Sequence, residues 1–272
     1  MFHHGVRARF EADFARLLTK ARELPLVLAA AIEAHFCEGI PGNQFPEATA
    51  LRSMLAVTPL YHAAVACLSE PETTLGSLAL MRPLLETWGH LYFLMGEDNM
   101  RDAQCRAIRL ELGWAAGTLG MVRSSGDELA DQLDIAERRC REISKIQTSY
   151  RCQGGPRDYG DADSTMKSMA QKLEIAWLAG LWRSSSQIVH AAGWDWLLEN
   201  TEDGTSVAAD PVPAHRAARL NHLVVLYSNV AQTFLVVAGI ELDSDAAKAV
   251  SSAAMEILDD PLLNRMIDGN FD

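Results

Sequence analysis

Helical periodicity runs through almost the whole chain and limits the fold more than any other feature. Apolar side chains recur every three to four residues, and no stretch alternates cleanly with period two. The pattern predicts helices over residues 6–23, 26–38, 46–69, 72–97, 99–124, 127–147, 165–194, 213–240 and 243–258. Turn chemistry punctuates them. PGNQFP at 41–46 is a turn cluster with Pro46 suited to a first helical turn, and Ser69-Glu70-Pro71 breaks one helix before the next. Pro59 and Pro83 fall inside helical patterns and mark kinks or boundaries. No repeat is visible. The expectation is an all-α, multi-helix bundle of eight to nine helices, one domain over 1–272.

Charge narrows the function classes. A formal charge of −12 argues against a surface that grips nucleic acid everywhere and leaves room for a local basic patch. One such patch exists. Arg138, Arg139, Arg141, Lys145, Arg151 and Arg157 stand against a single acid, Glu142, and run into a glycine-rich loop at 148–164, a composition suited to phosphate or RNA contacts. The opposite balance holds at 195–212, with five acids and no Lys or Arg, and from 241 onward, with eight acids against two bases.

Five scattered cysteines without a C-x-x-C pair are expected to be reduced thiols. The first residues lack the apolar core of a secretion signal. The greasiest stretch, 223–240, is broken by Ser228, Asn229 and Gln232, and reads as a central buried helix rather than a membrane span. A soluble, cytoplasmic protein is expected.

The segment 165–194 carries the most distinctive polar pattern. Arg183, Ser186 and His190 are spaced three and four residues apart, so they stack along one side of a helix rich in Trp177, Leu178, Leu181, Trp182, Ile188 and Val189. An ionisable stripe among apolar neighbours is costly to bury unless it is paired or used. A second stripe, Arg82, Glu86 and His90, has i, i+4, i+8 spacing.

The string Trp182-Arg-Ser-Ser-Ser-Gln-Ile-Val-His190 resembles the signature of the HEPN superfamily of helical proteins, and more narrowly a bacterial family of unknown function within or near it. The string Arg82-Pro-Leu-Leu-Glu86 followed by an apolar run resembles the Arg-x-x-x-Glu piece of the same family. The resemblance covers about residues 46–195. It implies a HEPN-like core over about 46–240, with 1–40 and 241–272 as peripheral helices, a homodimer, and a metal-independent ribonuclease of toxin or defence type. Six residues separate Arg183 from His190, within the four to six that HEPN ribonucleases carry. Arg216 and His222 also fit that spacing, so spacing alone selects nothing. Ser184 stands where active nucleases often carry Asn, Asp or His.

On that resemblance, His190 would move the proton of a ribose 2′-hydroxyl or of the leaving 5′-oxygen, Arg183 would hold the scissile phosphate, and Ser186 would complete the site. Arg82, Glu86 and His90 would support it. The alternative is a non-catalytic module that binds a partner protein or a nucleotide, in which the two stripes face each other and pair, Glu86 with Arg183 and Ser186 with His190. Exposure of the stripe discriminates the two. No metal or other cofactor is expected: the chain has no H-E-x-x-H, and Glu86-x-x-x-His90 is one residue longer than the Glu-x-x-His turn of di-iron bundles.

Overall fold

The computed structural model describes residues 4–37, 39, 45–70, 73–95, 100–153, 155–156, 162–189, 198–200, 206–208 and 213–268. Ten α-helices follow in order: α1 (His4–His35), α2 (Phe45–Cys67), α3 (Thr74–Met95), α4 (Met100–Ser124), α5 (Ala130–Tyr150), α6 (Ala162–Lys172), α7 (Ala176–Val189), α8 (Pro213–Val237), α9 (Asp245–Leu258) and α10 (Pro261–Ile267). The all-α bundle expected from periodicity is what forms. Between α7 and α8 lies a two-stranded antiparallel ribbon, β1 (Leu198–Asn200) and β2 (Ser206–Ala208), inside a stretch expected to be loop. Strands of three residues are too short for alternation to register in the sequence.

The main core runs through most of the helices. Phe14 and Leu17 of α1, Tyr61 of α2, Leu84 of α3, Tyr227 and Phe234 of α8 and Val250 of α9 are all fully buried in one cluster. Helix α8 is central and packs on α1, α2, α3, α9 and α10. It is the one described helix long and apolar enough to cross a membrane, and half of its most apolar window is buried inside the fold. The N- and C-terminal helices α1, α9 and α10 share this core with α2, α3 and α8.

Several helix ends differ from expectation for identifiable reasons. Helix α1 runs unbroken through Pro25, where two helices were expected. Proline has no N–H to give the carbonyl four residues earlier. That carbonyl belongs to Ala21, and it accepts a hydrogen bond from the buried hydroxyl of Tyr61 at 3.0 Å. The replacement comes from α2, so the break never occurs.

The helix expected over 165–194 is instead two, α6 and α7. Glu174 adopts a left-handed φ of 55°, and the Ile175 and Glu174 amides bond back to Ala170 and Gln171. This is a Schellman ending with Glu where Gly is usual. Arg151 closes α5 the same way, its φ also 55°. Helix α8 ends with the same bonds around Gly239, which takes φ 76° at no steric cost. Helix α10 was not expected. Asp260 caps it by accepting from the Leu262 amide, with Pro261 in its first turn.

Arg216 of α8 sits in the core with 1% of its surface exposed. It is fully employed there. Its guanidinium donates to the carbonyls of Leu68 and Ser69 just past α2, pairs with Glu11 at 2.6 Å, and lies over the rings of Phe14 and Phe10. It supplies donors to terminal helix carbonyls that would otherwise lack them.

Helices α4 and α5 form a hairpin at the side of this bundle. Helix α4 packs on α2 and α3, whereas α5 packs principally on α4. The seam between them is a small cluster of Ile108, Ala115 and Ile143. The expectation of five reduced thiols fails here, because Cys105 of α4 is joined to Cys152, just past α5, in a disulfide. The two cysteines are 47 residues apart in sequence, and the antiparallel hairpin returns one beside the other. Cys37, Cys67 and Cys140 are free thiols.

Candidate functional site

Two residues of the second polar stripe, Glu86 and His90, line a concave site. Helices α2 and α3 are joined by a short connection and run antiparallel as a hairpin, and α4 leans against both. Between the three lies a cleft of about 360 Å³, at the small end of ligand-sized cavities. Helix α2 contributes Arg52, Ser53, Ala56 and Leu60 to its walls. Helix α3 contributes Pro83, Glu86, Thr87 and His90, at the i, i+3, i+4, i+7 spacing of one helix face. Trp114 of α4 closes one side. The antiparallel hairpin puts Arg52 and Ser53 at the His90 end and Leu60 at the Pro83 end. Ala56, between Arg52 and Leu60 on the α2 wall, contributes only a methyl group to the lining.

The charged groups of the cleft are held from outside it. Glu86 Oε1 accepts from Arg82 Nε at 2.8 Å, one turn back on α3. The Arg82 guanidinium lies 3.6 Å from the Trp182 ring centre, a cation–π contact that ties α3 to α7. Both partners of this pair are about one-fifth exposed, so the Glu86 carboxylate is held in place without being sealed from solvent. Its Oε2 has no donor among the described residues.

On the other wall, Arg52 donates Nε and Nη2 to Oε1 of Glu111, a carboxylate of α4 that is only 6% exposed. Glu111 also accepts from the Thr49 hydroxyl at 3.1 Å and, on Oε2, from Arg139 of α5 at 3.4 Å. Burying a carboxylate is costly unless its oxygens find donors such as these. Arg52 thereby keeps Nη1 free of protein partners among the described residues. His90 is buried and meets Trp114 edge to face, with ring centres 5.7 Å apart.

The stripe on α7 is arranged otherwise. Leu178, Leu181, Trp182 and Ser185 make the buried side of that helix, and Ser185 donates to the Trp182 carbonyl. One residue past Trp182 the helix has turned by about 100°, so Arg183 faces solvent and Ser186 lies half-buried at the edge. The expected pairing of Glu86 with Arg183 does not form. Glu86 pairs instead within its own helix, through Oε1, with Arg82 four residues away. His190 lies outside the described residues, as do Trp194, Trp196 and Arg157.

The basic group on α5 divides. Arg138, Lys145 and Arg151 are exposed, Arg141 pairs with Glu137 at 3.3 Å, and Arg139 reaches inward to Glu111. Hydrogen bonds from Arg123 and then Arg141 hold the Glu137 carboxyl below its usual range. The competing Arg216 and His222 pair is split. Arg216 is structural, while His222 stacks on Trp177 with ring centres 5.7 Å apart, and burial pushes its pKa down.

Glu86 and His90 were legible in the sequence as a stripe, but Arg52, Trp114 and Glu111 were not singled out. One signal was present: Glu111 sits between Leu110 and Leu112 in an apolar run, a lone acid on a helix face that must be buried. Set beside known proteins, the chain matches no family model, no curated protein and no solved structure.

Proposed function

We propose that the chain is a helical binding module whose α2–α3–α4 cleft takes a small molecule. One observation carries this reading: a ligand-sized recess with apolar walls gathers a carboxylate, an imidazole and a guanidinium, each fixed by packing or by a partner outside the recess. Apolar walls with a few oriented polar groups are what small-ligand sites require. A fragment library screened by ligand-observed NMR should give binders that compete with one another and quench Trp114 fluorescence. Ala56→Leu fills the middle of the cleft without touching the charged pairs and should abolish their binding. A library that yields nothing, or binders indifferent to that substitution, would overturn the reading.

A second reading, a metal-independent ribonuclease of the HEPN kind acting as a homodimer, is favoured by Arg183. Its guanidinium stands in solvent on α7, as a phosphate-holding group would need, and is not consumed in a buried pair. Cleavage of RNA in EDTA that is lost in both Arg183→Ala and His190→Ala would support it. Cleavage undiminished in either variant, or none by the wild-type chain, would remove it.

A further inference from the structure

The two walls of the cleft carry opposite charges, and each has an unused hydrogen-bonding atom. Arg52 Nη1 on α2 is a cationic donor, and Glu86 Oε2 on α3 is an anionic acceptor. They do not meet each other, because each is drawn away by its own partner, Glu111 on one side and Arg82 on the other. Their placement along the hairpin is staggered. Arg52 lies at the end of the cleft marked by His90, and Glu86 stands four residues from His90, about 6 Å along α3. Trp114, whose indole meets the His90 ring edge to face, supplies an aromatic wall at that same end.

A ligand bearing only an anion would satisfy Arg52 and leave an acid and its own charge opposed near Glu86. One bearing only a cation would meet Glu86 and face Arg52. A neutral apolar ligand would bury an acceptor and a donor unpaired, which is costly. A ligand with both charges answers both walls.

We propose that the cleft takes a small zwitterion with a flat apolar body, its acid group at Arg52, its ammonium at Glu86 and its body against Trp114. This rests on reading the cleft as the binding site. The acid accepts from Arg52 Nη1 and the ammonium donates to Glu86 Oε2, both charge-assisted bonds. The size of the cleft limits the ligand to one ring and a short polar end.

The test compares four probes that share a benzyl group: phenylalanine, phenethylamine, 3-phenylpropionate and benzyl alcohol, each titrated into the full chain by calorimetry. Phenylalanine should bind about tenfold tighter than either singly charged probe, the worth of one added charge-assisted bond, and benzyl alcohol should bind least. Glu86→Gln should remove the advantage of phenylalanine over 3-phenylpropionate, and Arg52→Gln its advantage over phenethylamine. The ranking in the wild-type chain stands even where a variant folds poorly. Singly charged or neutral probes that bind as well as phenylalanine, in a site blocked by Ala56→Leu, overturn the zwitterion and leave the cleft reading intact. Absence of binding by all four overturns the zwitterion, and the fragment screen then decides the cleft by itself.

Discussion

The main bundle and the α4–α5 hairpin are held by different physics. In the bundle, α8 is surrounded by five helices, and its core joins fully buried aromatics and aliphatics from both chain ends to the middle. At the α4–α5 seam the buried cluster is small, Ile108, Ala115 and Ile143, with partly buried side chains such as Leu112 and Ile146 packed against it. What the hairpin lacks in apolar area it has in discrete fastenings: the Cys105–Cys152 bond, the Glu111 hub with Arg52 and Arg139, the Arg109 bond to the Gly155 carbonyl at 3.0 Å, and the Arg123–Glu137 pair. A wide core tolerates the loss of any one contact, because the rest of the area remains. A narrow seam does not, so its stability is concentrated in a few named atoms.

The largest effect that would test this contrast is removal of the disulfide. Closing a loop of this length in the unfolded chain is worth about 4 kcal/mol in the chain-entropy account. Reduction, or Cys105→Ser with Cys152→Ser, should speed amide hydrogen exchange along α5 and the start of α4 while leaving α8 protected. A uniform loss of protection across α5 and α8 would show that the hairpin and bundle are one cooperative unit, and the contrast would fail.

Glu111→Gln comes next. The amide keeps the shape but cannot balance two guanidinium groups. Breaking a buried ion pair by removing one partner costs about 3–5 kcal/mol. Arg52 and Arg139 are both nearly half exposed, and water takes over part of their demand. A loss of about 2 kcal/mol in a denaturant melt is expected on that ground. Because Arg52 also lines the cleft, the same substitution should weaken ligand binding there. A variant as stable as the wild type and unchanged in binding would mean that Glu111 fastens nothing.

The same two regions show what a sequence can and cannot disclose. Periodicity is a local property, and it located nearly every helix of both. Gly239 ends α8 with the residue that a left-handed terminus favours. Glu174 and Arg151 take the same conformation with no such marker, so the split between α6 and α7 was invisible. The continuity of α1 through Pro25 depends on a hydroxyl 40 residues away from the carbonyl it serves, and the disulfide on a return of the chain over 47 residues. Such features are set by packing, not by neighbours in sequence. The candidate site follows the same rule. The spacing of Glu86 and His90 on one helix was readable, while their meeting with Arg52 and Trp114 from two other helices was not.

His222 gives the smallest expected effect and tests the bundle side of the contrast. It lies half-buried on α8 against Trp177, and burial disfavours its charged form, so its folded pKa falls below the ordinary 6.5. The unfolded chain then takes up the proton first as pH falls. Stability from this residue is therefore complete above about pH 6.5 and declines as pH drops from there toward the lower folded value. His222→Phe keeps a ring against Trp177 and removes the titration. Melting midpoints of the two proteins should run parallel between pH 7 and 8 and converge or cross toward pH 5.5, with the wild type losing more. If the wild type loses no more than the variant, the imidazole is already hydrated, and this part of the bundle surface is as open as the α5 face.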